Sequence, residues 1–267
     1  MRGVIMVPIV KAVTFIKPLR TGRTCPCLMI CEDDSGAQHE VVVKFRMGPE
    51  STPRGLTCEL LASLLAIDLD LSVPSPFIVD IDPDFHEAIS DATLAARFRA
   101  SRGLNFGSQY LGPGFSTWPP GRSIPKSLIQ TAAEIFVFDL MIQNPDRRKD
   151  KPNLLRKDDE LCIFDHEMAF SFLYSLVPDQ HPWLGLGMDY AKDHVFYREL
   201  KGRELSWDRL QGALEAVHDQ RLDMFAQSVP VDWQRGKDDT ASRIREYIGK
   251  ARDNNILLFR KIRGVLV

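Results

Sequence analysis

DLMIQNPDRRKDKPNLLRKDDELCIFDHEMAF, residues 139–170, is the most informative stretch of the 267-residue chain. An apolar segment, residues 127–143, reads as a helix that stops before Asn144-Pro145, because the residue ahead of a proline disfavours helical backbone. Asn144-Pro145-Asp146 then opens a polar loop that holds Arg147, Arg148 and Asn153. A short apolar strand, Leu161-Cys162-Ile163-Phe164, follows and presents Asp165 at its end. Asn-Pro-Asp alone is an ordinary turn, and an aspartate closing a strand is an ordinary cap. Two acids in this order, joined by an apolar strand and accompanied by a carboxamide, are a rarer arrangement.

That donor set suits phosphoryl transfer. The reaction needs one carboxylate near the attacking hydroxyl, and oxygen ligands that hold magnesium against phosphate. Upstream, Lys44 interrupts the β-branched run Val41-Val42-Val43-Lys44-Phe45. A buried ammonium needs an anion, and two are on offer: Glu59, at the start of the first strong helical pattern, or the phosphates of ATP. A solvent-facing position on an edge strand is the competing reading for Lys44.

The surrounding pattern is sheet first, helix later. Residues 9–16, 25–31 and 40–45 read as strands, with Asp33-Asp34-Ser35-Gly36 as a hairpin turn. Residues 59–69 follow helical spacing up to Val73-Pro74-Ser75-Pro76, and residues 77–81 return to strand. A polar helical excursion spans residues 84–101, and residues 105–111 are extended. The breakers Gly112-Pro113-Gly114 and Trp118-Pro119-Pro120-Gly121 mark a lobe boundary. The expected architecture is therefore α+β and bilobed. A sheet-rich lobe takes residues 1–112, and a mainly helical lobe takes residues 113–267, with the loop at 144–153 and the second acid within 161–170.

Several classes are excluded or disfavoured. Near-balanced charge, net −2, gives no whole-protein field for nucleic acid or an anionic membrane. No apolar run is long enough to span a bilayer. The opening MRGVIMVPIV is broken by Pro8 and closed by Lys11, so it reads as a strand rather than a secretory leader. Five cysteines, an odd number, point to a reducing, cytoplasmic setting. Cys25, Cys27 and Cys31 share a strand face with Met29 and read as a buried stripe, with no fourth ligand at metal spacing. His166-Glu167 is not a zinc-protease helix, because Phe170 stands where the second histidine would be required. Trp118, Trp183, Trp207 and Trp233 read as packing residues.

On these motifs the sequence resembles the HipA-like kinases, a bacterial branch of the protein-kinase-like superfamily, and its loop is also similar to that of phosphatidylinositol 3/4-kinases. The likeness covers most of residues 10–172. It implies ATP and Mg2+ as cofactors. Lys44 then corresponds to the strand lysine on the α/β-phosphates and Glu59 to its helix partner. Asp146 corresponds to the acid that orients the substrate hydroxyl, and Asn153 and Asp165 to the metal-binding pair. Gln109, Tyr110 and Leu111 fall on the interlobe strand whose backbone holds adenine.

The departures are specific. Asp146 and Asn153 are seven apart, where kinase loops place this pair five apart. His166-Glu167 replaces Phe-Gly, so Phe-in, Phe-out switching does not carry over. No G-x-G-x-x-G loop is present; Gly22 and Arg23, in Thr21-Gly22-Arg23-Thr24, either cover phosphates or form a plain hairpin. Arg147, Arg148 and Lys149 either recognise an acidic or phosphorylated group or form a solvated loop, and Asp139 is expected to hold that loop. The implied activity is protein serine/threonine phosphorylation. A lipid or small-molecule kinase and a nucleotide-binding pseudokinase are the alternatives, and an antitoxin-like protein is a partner that such relatives imply.

Overall fold

The structure is a computed structural model that describes residues 7–19, 24–48, 52–175, 182–184, 188–234 and 239–267. Strands β1 (Ile9–Pro18), β2 (Cys27–Glu32) and β3 (Gln38–Lys44) come first, followed by helix α1 (Pro53–Asp68) and strand β4 (Pro76–Ile81). Helix α2 (Ala92–Ala100) precedes β5 (Gly103–Gln109). The five strands close a barrel in the order β1-β2-β3-β5-β4, in which only β1 and β4 run parallel. The β2–β3 turn forms as expected. Asp33 Oδ1 accepts from the N–H of Ser35 and of Ala37, and Gly36 takes φ +82°, which glycine adopts without strain.

The barrel interior is a small core of its own. Cys27, Met29 and Cys31 are fully buried there with Val41, Val43, Val79 and Phe45. Gly107 of β5 leaves no room for a side chain, since a Cβ would lie 2.6 Å from both Val41 and Val79. Phe98 of α2 closes one end, edge-on to Phe45 with ring centres 4.9 Å apart.

The rest of the chain is mainly helical. A two-residue strand β6 (Ser116–Thr117), helix α3 (Ile129–Met141) and the hairpin β7 (Leu154–Lys157) and β8 (Glu160–Ile163) come next. Strands β6, β7 and β8 make a second sheet. Helices α4 (Tyr197–Leu200), α5 (Asp208–Glu215), α6 (Asp219–Gln227), α7 (Thr240–Asp253) and α8 (Asn255–Val265) complete the chain. The architecture is α+β, sheet-rich in its N-terminal part and helical in its C-terminal part, and all four tryptophans are buried. Among the described residues no helix is long and apolar enough to cross a membrane.

Two sequence expectations needed correction. Residues 154–157, read as polar loop, form β7, because Leu154 is buried and its carbonyl accepts from the N–H of Trp118 at 2.8 Å. Helix α1 starts at Pro53 rather than near Glu59: Thr52 Oγ1 accepts from the Gly55 N–H, and proline fits the first helical position.

Helix α1 is the connection between the two halves. Its residues 55–66 are all buried, and it packs against the barrel as well as against α6 and α7. At its C-terminal end Asp68 forms a two-pronged ion pair with Arg221 of α6, both bonds 2.7 Å.

Candidate active site

Lys44 ends β3, a strand bonded on both sides, so the edge-strand reading does not hold. Its side chain is 11% exposed and reaches Glu59 of α1 at 2.9 Å and Asp165 at 2.5 Å, with Glu167 at 3.6 Å. Burial works against the ammonium charge. The three carboxylates around it outweigh that and hold Lys44 protonated, above its ordinary value.

Asp165 follows β8 with φ +62°, a left-handed backbone that turns its carboxylate toward both halves of the molecule. Its Oδ1 meets Lys44, and its Oδ2 meets Lys151 at 3.2 Å. Burial pushes this carboxyl up, but the two lysines more than offset it, so the group sits below the usual carboxylate range. Lys151 also reaches Asp146 Oδ2 at 2.6 Å. A single ammonium therefore joins the two aspartates that the sequence singled out.

The long spacing in the loop is absorbed locally. The N–H of Arg148 donates to the carbonyls of both Asp146 and Lys151, folding residues 147–151 into a tight turn. Asn153, at φ +47°, then donates from Nδ2 to Asp146 Oδ2 at 3.2 Å. That bond orients the carboxamide and leaves its carbonyl oxygen as the atom able to take a cation.

Beneath the loop lies a buried hub. Asp139 of α3 is fully buried and accepts from Arg147 Nε at 2.5 Å, Arg147 Nη2 at 3.2 Å, His194 Nε2 at 3.1 Å and Asn144 Nδ2 at 2.8 Å. Arg147 is also fully buried, and its Nη1 donates to the carbonyls of Asn153 and Phe164. Both readings of Arg147 from sequence are therefore corrected. It neither reaches outward to a substrate nor lies in solvent; it ties Asn153 and the residue before Asp165 to α3. Asp139 holds the loop, as expected. Arg148 is 46% exposed and lies 4.0 Å from Asp146.

The other expected residues fall out as follows. Gly22 and Arg23 lie outside the described residues. The N–H of Gln109 donates to Ser75 and that of Tyr110 to Glu40, each at 2.8 to 2.9 Å, so sheet pairing already uses both. Of the three, Leu111 keeps a backbone N–H that makes no hydrogen bond among the described residues. Lys151 and His194 were not singled out from sequence. Lys151 carries a signal only in hindsight, as a cation two residues before the carboxamide; His194 is remote in sequence and carries none.

No cluster of three or more histidine, cysteine or acidic side chains suited to a metal occurs among the described residues. The donors present are oxygens, from Asp165, Asp146 and Asn153. That fits a hard cation that takes its remaining ligands from phosphate and water. A lysine ammonium on each oxygen of Asp165 shows that the carboxylate is placed to face positive charge on two sides.

The profile of the HipA-like kinase family matches residues 12–255. The chain belongs to the HipA-like kinases. Among solved structures, CtkA, a proinflammatory kinase of Helicobacter pylori, superposes with a TM-score of 0.50 at 12% identity, covering 97% of this chain and all of that one. At this identity the likeness establishes a shared kinase-like fold. A Golgi casein kinase with Mn/ADP bound gives a TM-score of 0.47 at 9% identity, covering 94% of this chain and 73% of the other. No curated protein sequence matches this HipA-like chain.

Proposed function

We propose that this HipA-like kinase transfers the γ-phosphoryl group of ATP, with magnesium, to a serine or threonine hydroxyl of a protein. The observation that carries the reading is the shared ammonium of Lys151, which brings Asp146 and Asp165 to one point beside the Lys44–Glu59 pair.

The roles follow from chemistry. Glu59 holds Lys44 where its ammonium can meet the α/β-phosphates. Asp146, oriented by Asn153, accepts or orients the proton of the incoming hydroxyl. Lys151 is half-exposed between the acids, and its charge stabilises the phosphoryl group as negative charge spreads over its oxygens. Asp165 and Asn153 would hold magnesium, which when bound neutralises phosphate charge and fixes the phosphates in line. Adenine would bond to the backbone at Leu111 rather than at Gln109 or Tyr110, and Gly22 and Arg23 would cover the phosphates. Positioning and electrostatics supply the catalysis, since this chemistry asks little covalent work of the protein.

The test is incubation with γ-labelled ATP and magnesium, with and without lysate, of the parent and of Asp146→Asn and Asp165→Asn. Label on protein hydroxyls from the parent, and none from the variants, supports the reading. Label confined to a lipid extract replaces the substrate class. Nucleotide binding without any transfer makes the chain a pseudokinase, and equal transfer by the variants refutes the site.

A further inference from the structure

We propose that His166 is a positioning residue: it ties the buried Arg147 of the loop to Glu59 of α1 and thereby keeps the segment after Asp165 in a single orientation. This rests on the kinase reading above.

The ring is fully buried, edge-on to Phe138 at 6.0 Å between ring centres. Its Nε2 lies 3.0 Å from Arg147 Nη2. A guanidinium can only donate, so Nε2 accepts and Nδ1 carries the ring proton. Nδ1 has no hydrogen-bond partner; Glu59 Oε1 lies 3.9 Å away, beyond hydrogen-bond reach. The backbone N–H of His166 donates to the other oxygen, Glu59 Oε2, at 2.7 Å. The oxygen that pairs with Lys44 is thus also bonded to the residue next to Asp165. Arg147 in turn binds Asp139 and the carbonyls of Asn153 and Phe164.

The residue therefore joins the loop to the helix in two ways, its ring through Arg147 and its backbone N–H through Glu59. An apolar ring here would fill the space and keep the backbone bond to Glu59, but it would lose the tie to Arg147. With histidine, the segment moves only by also breaking a bond to the buried guanidinium.

The experiment compares the full chain with His166→Phe, which keeps ring volume and removes both ring nitrogens, and His166→Gln, whose carbonyl restores an acceptor for Arg147. Two quantities are read: Mg-ADP affinity by calorimetry, and hydrogen exchange of peptides covering residues 56–64 and 164–170. H166F is expected to bind Mg-ADP roughly tenfold more weakly, the scale of one lost bond to a buried charge, with faster exchange in both peptides. H166Q is expected to recover most of both losses. Parent-like affinity and exchange in H166F overturn the proposal, as does an H166Q no better than H166F, which would leave packing alone. Should H166F fail to fold, His166→Asn carries the same comparison, since it keeps the backbone bond to Glu59 but has no atom at Nε2. A parent that binds no nucleotide refutes the kinase reading, while the exchange data still decide the role of His166.

Discussion

Replacing Asp139 with asparagine keeps the shape of the hub and removes its charge. The partner left behind is Arg147, a guanidinium with no exposed surface whose remaining acceptors are neutral: three carbonyls and a histidine nitrogen. Stranding a buried charge in this way costs about 3–5 kcal/mol. The Asp139 carboxyl also titrates below its usual range, because Arg147 and His194 outweigh the burial that pushes it up; its ionised form is the one the fold needs. For a domain near this size each kcal/mol lowers the melting temperature by about 2–4 °C, so D139N should melt roughly 6–20 °C below the parent. Urea denaturation at pH 7 reads the loss directly, as a lower midpoint at unchanged slope. Adding Arg147→Met to D139N removes the stranded charge, and the double variant should lose less than the two single losses combined. A D139N protein within about 1 kcal/mol of the parent would refute the claim that this pair anchors the loop.

Three further outcomes follow from the same geometry. Burial, aided by Arg147, holds the His166 ring neutral down to about pH 3, while the unfolded chain takes up that proton near 6.5. Stability should fall as pH drops from 6.5 toward 3, by at most about 5 kcal/mol, and the urea midpoint of H166Q should fall less. Glu167, pushed up to about 7 by burial, acts in the opposite sense. Its folded form keeps a proton that the unfolded chain releases near 4.5, so that contribution fades as pH rises from 4.5 to 7, and Glu167→Gln should reduce the slope. Arg221→Ala should lower stability by about 1–3 kcal/mol through the Asp68 pair, and swapping the two charges between positions should recover part of it in the same denaturation assay.

Much of this was legible in the sequence because it is written in local pattern. The strand run around Lys44, the loop opened by Asn144-Pro145 and the apolar strand before Asp165 each carry their signal within ten residues. The apolar periodicity starts helix α1 six residues late because Gly55, Thr57 and Cys58 interrupt it, yet tertiary packing buries all three. Strand β7 leaves little local signal because only Leu154 is buried in it, and its partners, β6 and β8, lie on either side in sequence. The fate of Arg147 was invisible for a different reason. Whether an arginine faces water or a buried acid depends on Asp139, Asn153, Phe164 and His166 meeting in space. The link between Asp146 and Asp165 through Lys151 is likewise a product of the tight turn at Arg148, which residue spacing alone does not reveal.

The proposed phosphotransfer requires Asp165 to hold a divalent ion against the bound nucleotide. Calorimetric titration of ADP into the parent and into Asp165→Asn, each with and without magnesium, tests it most directly. Magnesium is expected to tighten ADP binding to the parent and to have little effect on D165N. Equal tightening in both proteins would contradict it.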